Sequence, residues 1–178
     1  RSYRRSGALA ATRTEVGAPP SARPTTKPMK KPHGRDLRKG RFSEPNRIYL
    51  ITAVTQSRTP WFQDISLGRL LVGVLRAETP HAQTLAYVMM PDHLHWLMQL
   101  NEGHTLSRVV EDVKSISAHR INHALRRVGP LWQAGFHDHA LRHEEDVAGV
   151  ARYVVANPLR AGLVKSLGDY PLWDAVWV

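Results

Sequence analysis

Leu85-Ala86-Tyr87-Val88-Met89-Met90-Pro91-Asp92-His93-Leu94-His95-Trp96-Leu97-Met98-Gln99-Leu100 decides the fold. Two apolar, strand-forming runs flank Pro91-Asp92, a pair with turn chemistry, so residues 85–90 and 93–100 read as the two strands of a hairpin. Upstream, Ile48-Tyr49-Leu50-Ile51-Thr52-Ala53-Val54 is β-rich and bounded by Pro45-Asn46, which predicts another strand. Between them Asp64 begins a segment whose apolar positions Ile65, Leu67, Leu70, Leu71, Val74 and Leu75 fit a helix ending before Pro80. Downstream a long helix starts at Thr105, with Leu106, Val109, Val110, Val113, Ile116, Ile121, Ala124 and Leu125 on one face, and Gly129-Pro130 stops it. A fourth strand over 136–141 and a helix over 144–156 follow. The order β-α-β-β-α-β-α predicts an α+β fold: a ferredoxin-like split βαβ with an antiparallel central sheet, helices on one face and an added C-terminal helix.

The chain has 178 residues, 42% of them hydrophobic, which suits one domain with a core plus an extension. With no Cys there is no disulfide, no thiolate metal cluster and no cysteine nucleophile. No apolar run reaches the roughly 18 residues that would span a bilayer, and the basic start lacks the apolar stretch of a signal peptide. A cytoplasmic protein with no membrane partner is the expectation. Residues 1–45 carry 12 Lys+Arg against 3 Asp+Glu, whereas residues 46–178 carry 13 against 12 and nine of the ten His. Residues 1–34 therefore read as a disordered basic extension, rich in Arg, Lys, Pro, Ser, Thr, Gly and Ala, and residues 35–178 as the folded domain. Such an extension suits an arm that tracks an anionic polymer or a solvated tail with no role of its own. An organelle transit peptide shares the composition, but the prolines oppose its amphipathic helix.

His93 and His95 are two apart on a strand, so they share one face about 6.6 Å apart, while Leu94, Trp96 and Met98 face the core. Two imidazoles at that spacing can chelate one divalent cation, or can simply be surface histidines on a half-exposed strand. A third His two positions on would suggest a histidine-triad nucleotidyl hydrolase, but position 97 is Leu. His137-Asp138-His139 repeats the pattern on the fourth strand. All four histidines could close a structural zinc site, which would make the chain a zinc-stabilised interaction domain.

In the helix before Pro158, Tyr153 and Asn157 lie four apart on one face, about 6 Å apart along the axis. Val147, Val150, Ala151 and Val154 form its packing stripe, Tyr153 sits at the border of that stripe, and Gly149 one turn earlier leaves space for a ligand. An ordinary amphipathic tyrosine would look the same.

Taken in order, Arg38-Lys39-Gly40-Arg41 before Ile48-Tyr49-Leu50, Pro91-Asp92-His93-Leu94-His95, Leu131-Trp132-Gln133-Ala134-Gly135-Phe136-His137-Asp138-His139, and Tyr153-Val154-Val155-Ala156-Asn157-Pro158-Leu159-Arg160-Ala161-Gly162-Leu163-Val164 resemble the single-tyrosine HUH transposases, specifically the REP-associated tyrosine transposases. The resemblance covers about residues 35–178. It implies a metal-dependent enzyme that nicks and rejoins single-stranded DNA, at hairpin-forming repeats. By that resemblance His93 and His95 hold Mg²⁺ or Mn²⁺, Asn157 matches a third metal ligand, and Tyr153 matches the nucleophile of a 5′-phosphotyrosine intermediate, so the added helix is the catalytic one. The covalent link conserves the phosphodiester energy, consistent with the lack of a Gly-rich phosphate loop and of any nucleotide cofactor.

Single-stranded or hairpin DNA is the expected partner, bound by a monomer or homodimer in a bacterial-type, nucleoid-associated setting. Arg108, Lys114, Arg120, Arg126 and Arg127 lie off the apolar face of the long helix and Arg160 follows the tyrosine helix; Lys114, Arg120 and Arg160 are the candidate phosphate contacts. Trp61, Trp96, Trp132, Trp173 and Trp177 could stack on bases, though core roles suit most of them. A domesticated or catalytically silent hairpin-binding protein of the same fold would keep these residues as well.

Overall fold

Side chains two apart on a strand alternate between faces, and that rule builds the sheet. The structure, a computed structural model, describes residues 43–142 and 144–177. Strand β1 (Ile48–Val54) buries Tyr49, Ile51 and Ala53 on one face and leaves Leu50, Thr52 and Val54 half-buried on the other. Helix α1 (Ile65–Ala77) is capped by Asp64, whose carboxylate accepts from the Ser66 amide at 2.8 Å. Strands β2 (Ala82–Met90) and β3 (His93–Leu100) form the expected hairpin. Helix α2 (Leu106–Ala124), strand β4 (His137–Ala140), helix α3 (Val147–Val155), the single turn α4 (Asn157–Arg160) and strand β5 (Trp173–Ala175) complete the domain. The sheet order is β4-β1-β3-β2-β5, antiparallel throughout. Its first four strands follow the split βαβ arrangement.

Helices α1 and α2 cover one face. Leu67, Leu71, Val74 and Leu75 from α1 and Val109, Val110, Val113 and Ile121 from α2 meet Ile51, Met89, Leu94, Trp96 and Met98. Each fully buried aliphatic or aromatic side chain there contributes about 1.5–3 kcal/mol. The indole N–H of Trp96 donates to Thr84 Oγ1 at 3.0 Å, so its burial leaves no donor unsatisfied. Helix α3 packs on the opposite face, through Ala151 and Val155 against Leu85, Ala86 and Leu97, and through Val154 against Val88 and Met90. The expected helix layer and the added helix thus lie on different faces of the sheet.

Four elements differ from expectation. Strand β2 starts at Ala82 rather than 85, because β3 runs on to Leu100, where the two residues pair. Strand β4 is shorter than 136–141, although the Leu141 amide still reaches Ile48 O. Helix α3 begins at Val147 rather than 144, because the Glu145 carboxylate turns back to the Arg142 amide at 2.5 Å. Strand β5 was not foreseen: three residues are too few to show a period. No helix among the described residues is long and apolar enough to cross a membrane. The basic extension of residues 1–34 and the Arg38–Arg41 motif lie outside the described residues.

Candidate active site

On the face that carries α3, His93 and His95 stand side by side, their rings 4.8 Å apart and nearly perpendicular. Each Nδ1 is already engaged. His93 Nδ1 lies 2.5 Å from Asp92 Oδ1, and His95 Nδ1 lies 2.9 Å from Thr52 Oγ1 on the paired strand. An ionised carboxylate can only accept, so His93 donates through Nδ1, which in the neutral ring leaves Nε2 as the lone-pair nitrogen. When His95 donates to Thr52, its Nε2 is the lone-pair nitrogen as well. Two imidazoles side by side on one strand face, each engaged through Nδ1, make a donor set that fits a divalent cation. His95 is held neutral by burial first, then by the charges of His93 and Arg160, which bring its pKa down to about 4. Burial opposes the charge on Asp92, but hydrogen bonds from His93 and then Arg58 keep its carboxyl below the usual range.

The register brings the tyrosine helix to this pair. Val88 and Met90 are the β2 partners of His95 and His93, and both pack against Val154 of α3. Tyr153 is 64% exposed, so its phenol is open to a large substrate. The Arg160 guanidinium lies over the Tyr153 ring, 3.8 Å from its centroid, and its nitrogens donate to Tyr153 O at 2.7 Å and Asn157 Oδ1 at 2.8 Å. Asn157 Nδ2 donates to Val154 O at 2.8 Å, so the whole amide is oriented. The Asn157 oxygen thus already accepts from Arg160, leaving one acceptor site for a cation. Among the other described tyrosines, Tyr49 and Tyr87 are buried and the Tyr170 hydroxyl donates to Met89 O at 2.5 Å. Burial raises the pKa of Tyr87, with Asp174 adding to the effect, and burial alone raises that of Tyr170.

Other candidates fall elsewhere. Lys114 and Arg120 belong to α2, the helix layer on the opposite face. The Lys114 ammonium donates to Gln133 O at 2.8 Å and to Gly135 O, so it ties down the loop before β4. Arg108 pairs with Asp112, and Arg127 stacks on Trp61. Trp96 and Trp132 are core. A side-chain carbon at Gly149 would stand 2.5 Å from Asp146 Oδ2, so the expected ligand space there is filled by the residue that precedes the helix. His137 lies opposite Thr52 and shares the His95 face one strand further out, while His139 Nε2 sits 3.2 Å from Glu145. Among the described residues no three His, Cys, Asp or Glu converge, so the four-histidine zinc site does not form.

Three supporting residues escaped the sequence reading. Thr52 was signalled by being the one polar residue inside an apolar strand. Asp92 adjoins His93, but in sequence its place after Pro91 signals only a turn. Arg58 gave no signal, since it lies 34 positions from its partner Asp92.

A family model described as "Transposase IS200 like" matches residues 45–157, a span that holds His93, His95, Tyr153 and Asn157. A Haemophilus influenzae protein named "Putative REP-associated tyrosine transposase" is 27% identical over 148 residues, covering 77% of this chain and 81% of that protein. An Escherichia coli K12 protein named "REP-associated tyrosine transposase" is 30% identical over 87 residues, covering 48% of this chain and 50% of that one. The fold is shared with a solved structure titled "Structure of the REP associates tyrosine transposase bound to a REP hairpin". The TM-score is 0.60 at 24% identity, over 75% of this chain and 79% of that chain.

Proposed function

Because this chain belongs to the IS200-like transposase family, we propose that it nicks and rejoins single-stranded DNA at hairpin-forming repeats through a covalent link to Tyr153. This reading is supported by the shared sheet face of the adjacent histidine pair and the helix of the exposed, Arg160-held Tyr153, which packs through Val154 on Val88 and Met90, the cross-strand partners of the two histidines. In the proposed reaction the Tyr153 phenol oxygen attacks the scissile phosphorus, its proton passing to solvent. The P–O bond to the 3′ oxygen breaks, and that oxygen leaves as a 3′-hydroxyl while the 5′ side stays on the tyrosine. A free 3′-hydroxyl attacking the same phosphorus gives up its proton, breaks the P–O bond to Tyr153, which leaves as the protonated phenol, and so restores a phosphodiester without ATP.

His93 and His95, with the remaining acceptor site of Asn157, would hold Mg²⁺ or Mn²⁺, which polarises a non-bridging phosphate oxygen when bound. The helix fixes Tyr153 better than a loop would, so the phenol can be held near in-line with the leaving oxygen. Arg160 places a fixed positive charge at the nucleophile, where negative charge develops on phenolate and phosphate. The named relatives and the hairpin-bound structure support repeat hairpins as the DNA.

The test uses labelled single-stranded hairpins from repeats flanking the protein's own gene, incubated with Mg²⁺ or Mn²⁺. Metal-dependent cleavage by wild type is expected. His93→Ala and His95→Ala should abolish cleavage while keeping most hairpin binding, because phosphate and base contacts carry affinity. Equal loss of binding and cleavage would make the pair structural and overturn the assignment.

A further inference from the structure

The two histidines differ in what stands behind them. His95 is backed by a neutral hydroxyl, Thr52. His93 is backed by a carboxylate, Asp92, at 2.5 Å. The other oxygen of that carboxylate, Oδ2, accepts from Arg58 Nη1 at 2.9 Å, so Asp92 is held from both sides.

The loop after β1 is built to hold this carboxylate. Thr55 is fully buried, and both its amide and its hydroxyl reach Asp92 O at 2.9 Å. Phe62 N donates to Pro91 O at 3.0 Å, so the loop grips both residues of the hairpin turn. Within it Ser57 and Arg58 have φ of 54° and 53°, two consecutive non-glycine residues in the left-handed region. Such residues are strained and persist where surrounding bonds over-determine them. Here those bonds are Gln56 N to Leu131 O, Arg58 N to Thr55 O and Thr59 N to Gln56 O. This distorted turn delivers the Arg58 guanidinium to Asp92.

Resting on the reading of His93 and His95 as metal ligands, we propose that Asp92 and Arg58 are positioning residues of the metal centre. Asp92 fixes His93 in the Nδ1–H tautomer, sets its ring orientation and makes Nε2 a stronger donor than that of His95. Arg58 fixes Asp92. A carboxylate behind a ligating imidazole raises its basicity, and losing such a partner costs about 10- to 100-fold in metal affinity. The centre is therefore asymmetric, with His93 as its stronger arm.

The test compares the full chain with Asp92→Ala, Asp92→Asn, Arg58→Ala and His93→Ala, without DNA. Nitrogen-15 NMR of the metal-free protein reads the His93 tautomer, and Mn²⁺ titration reads affinity. Wild type should show His93 as Nδ1–H. Asp92→Ala should mix the tautomers and bind Mn²⁺ about 10- to 100-fold more weakly, with an unchanged melting profile. Asp92→Asn keeps an acceptor without the charge, so it should retain the tautomer and fall between the two in affinity. Arg58→Ala should weaken binding less than Asp92→Ala. An unchanged tautomer and Mn²⁺ affinity in Asp92→Ala, with affinity lost in His93→Ala, overturns this inference alone. Wild-type affinity in His93→Ala overturns the metal reading and this inference with it.

Discussion

The guanidinium of Arg160 covers the ring of Tyr153 at 3.8 Å and, through its other nitrogen, holds the Asn157 amide oxygen at 2.8 Å. One side chain thus orients both the proposed nucleophile and the third candidate ligand. A planar fork can do both at once; an ammonium cannot. Arg160→Ala and Arg160→Lys should therefore both slow single-turnover cleavage, by about 10- to 100-fold, with a much smaller effect on hairpin affinity. A wild-type rate in Arg160→Lys would show that charge, not the fork, is what Tyr153 needs.

His95 makes the domain acid-sensitive. Burial, then His93 and Arg160, hold its pKa at about 4, against 6.5 for an ordinary histidine. Between those values the unfolded chain binds a proton that the native state excludes, so stability falls as pH drops through this window. A gap of that size corresponds to about 3 kcal/mol. Urea denaturation at pH 7 and at pH 4.5 should show a larger loss for wild type than for His95→Gln. Equal losses would mean that His95 titrates normally in the folded protein.

Gly68 and Gly73 share helix α1 but not their surroundings. A side-chain carbon at Gly68 would stand 2.5 Å from one Leu172 methyl carbon and 2.7 Å from the other, and Leu172 is buried. At Gly73 the nearest atom is the Arg120 guanidinium nitrogen at 3.8 Å. Alanine gains about 1 kcal/mol over glycine in a helix interior, and overpacking costs about 1–3 kcal/mol. Gly68→Ala should lower the denaturation midpoint and Gly73→Ala should leave it unchanged or raise it. A stabilised Gly68→Ala would mean that Leu172 yields without cost.

The parts of this molecule that were legible in its sequence are those governed by local periodicity. The strand-forming composition of residues 48–54 and 93–100 and the turn residues that bound them located β1 and β3 to the residue, and the two-residue period of a strand placed His93 and His95 on the face away from Leu94 and Trp96. The four-residue spacing of Tyr153 and Asn157 was visible for the same reason, although their common partner Arg160 had been read only as a phosphate contact. Long-range pairing was not legible. Nothing local links Arg58 to Asp92 or Thr52 to His95, and β5 exists only because β2 offers it an edge. Nor does a helical wheel reveal that Lys114 is held by the loop before β4, or that Asp146 fills the space beside Gly149.

In the proposed reaction Tyr153 forms the covalent bond to DNA. Tyr153→Phe removes one oxygen from an exposed side chain, so fold, metal binding and hairpin affinity should persist. The direct measurement is a denaturing gel of hairpin DNA labelled on the 3′ side of the nick, with Mg²⁺ or Mn²⁺ present. Wild type should give a slow-migrating protein–DNA species whose peptide mass places the phosphate on Tyr153, and Tyr153→Phe should give none. An adduct that survives in Tyr153→Phe, or one mapped to Tyr49, Tyr87 or Tyr170, would contradict the account.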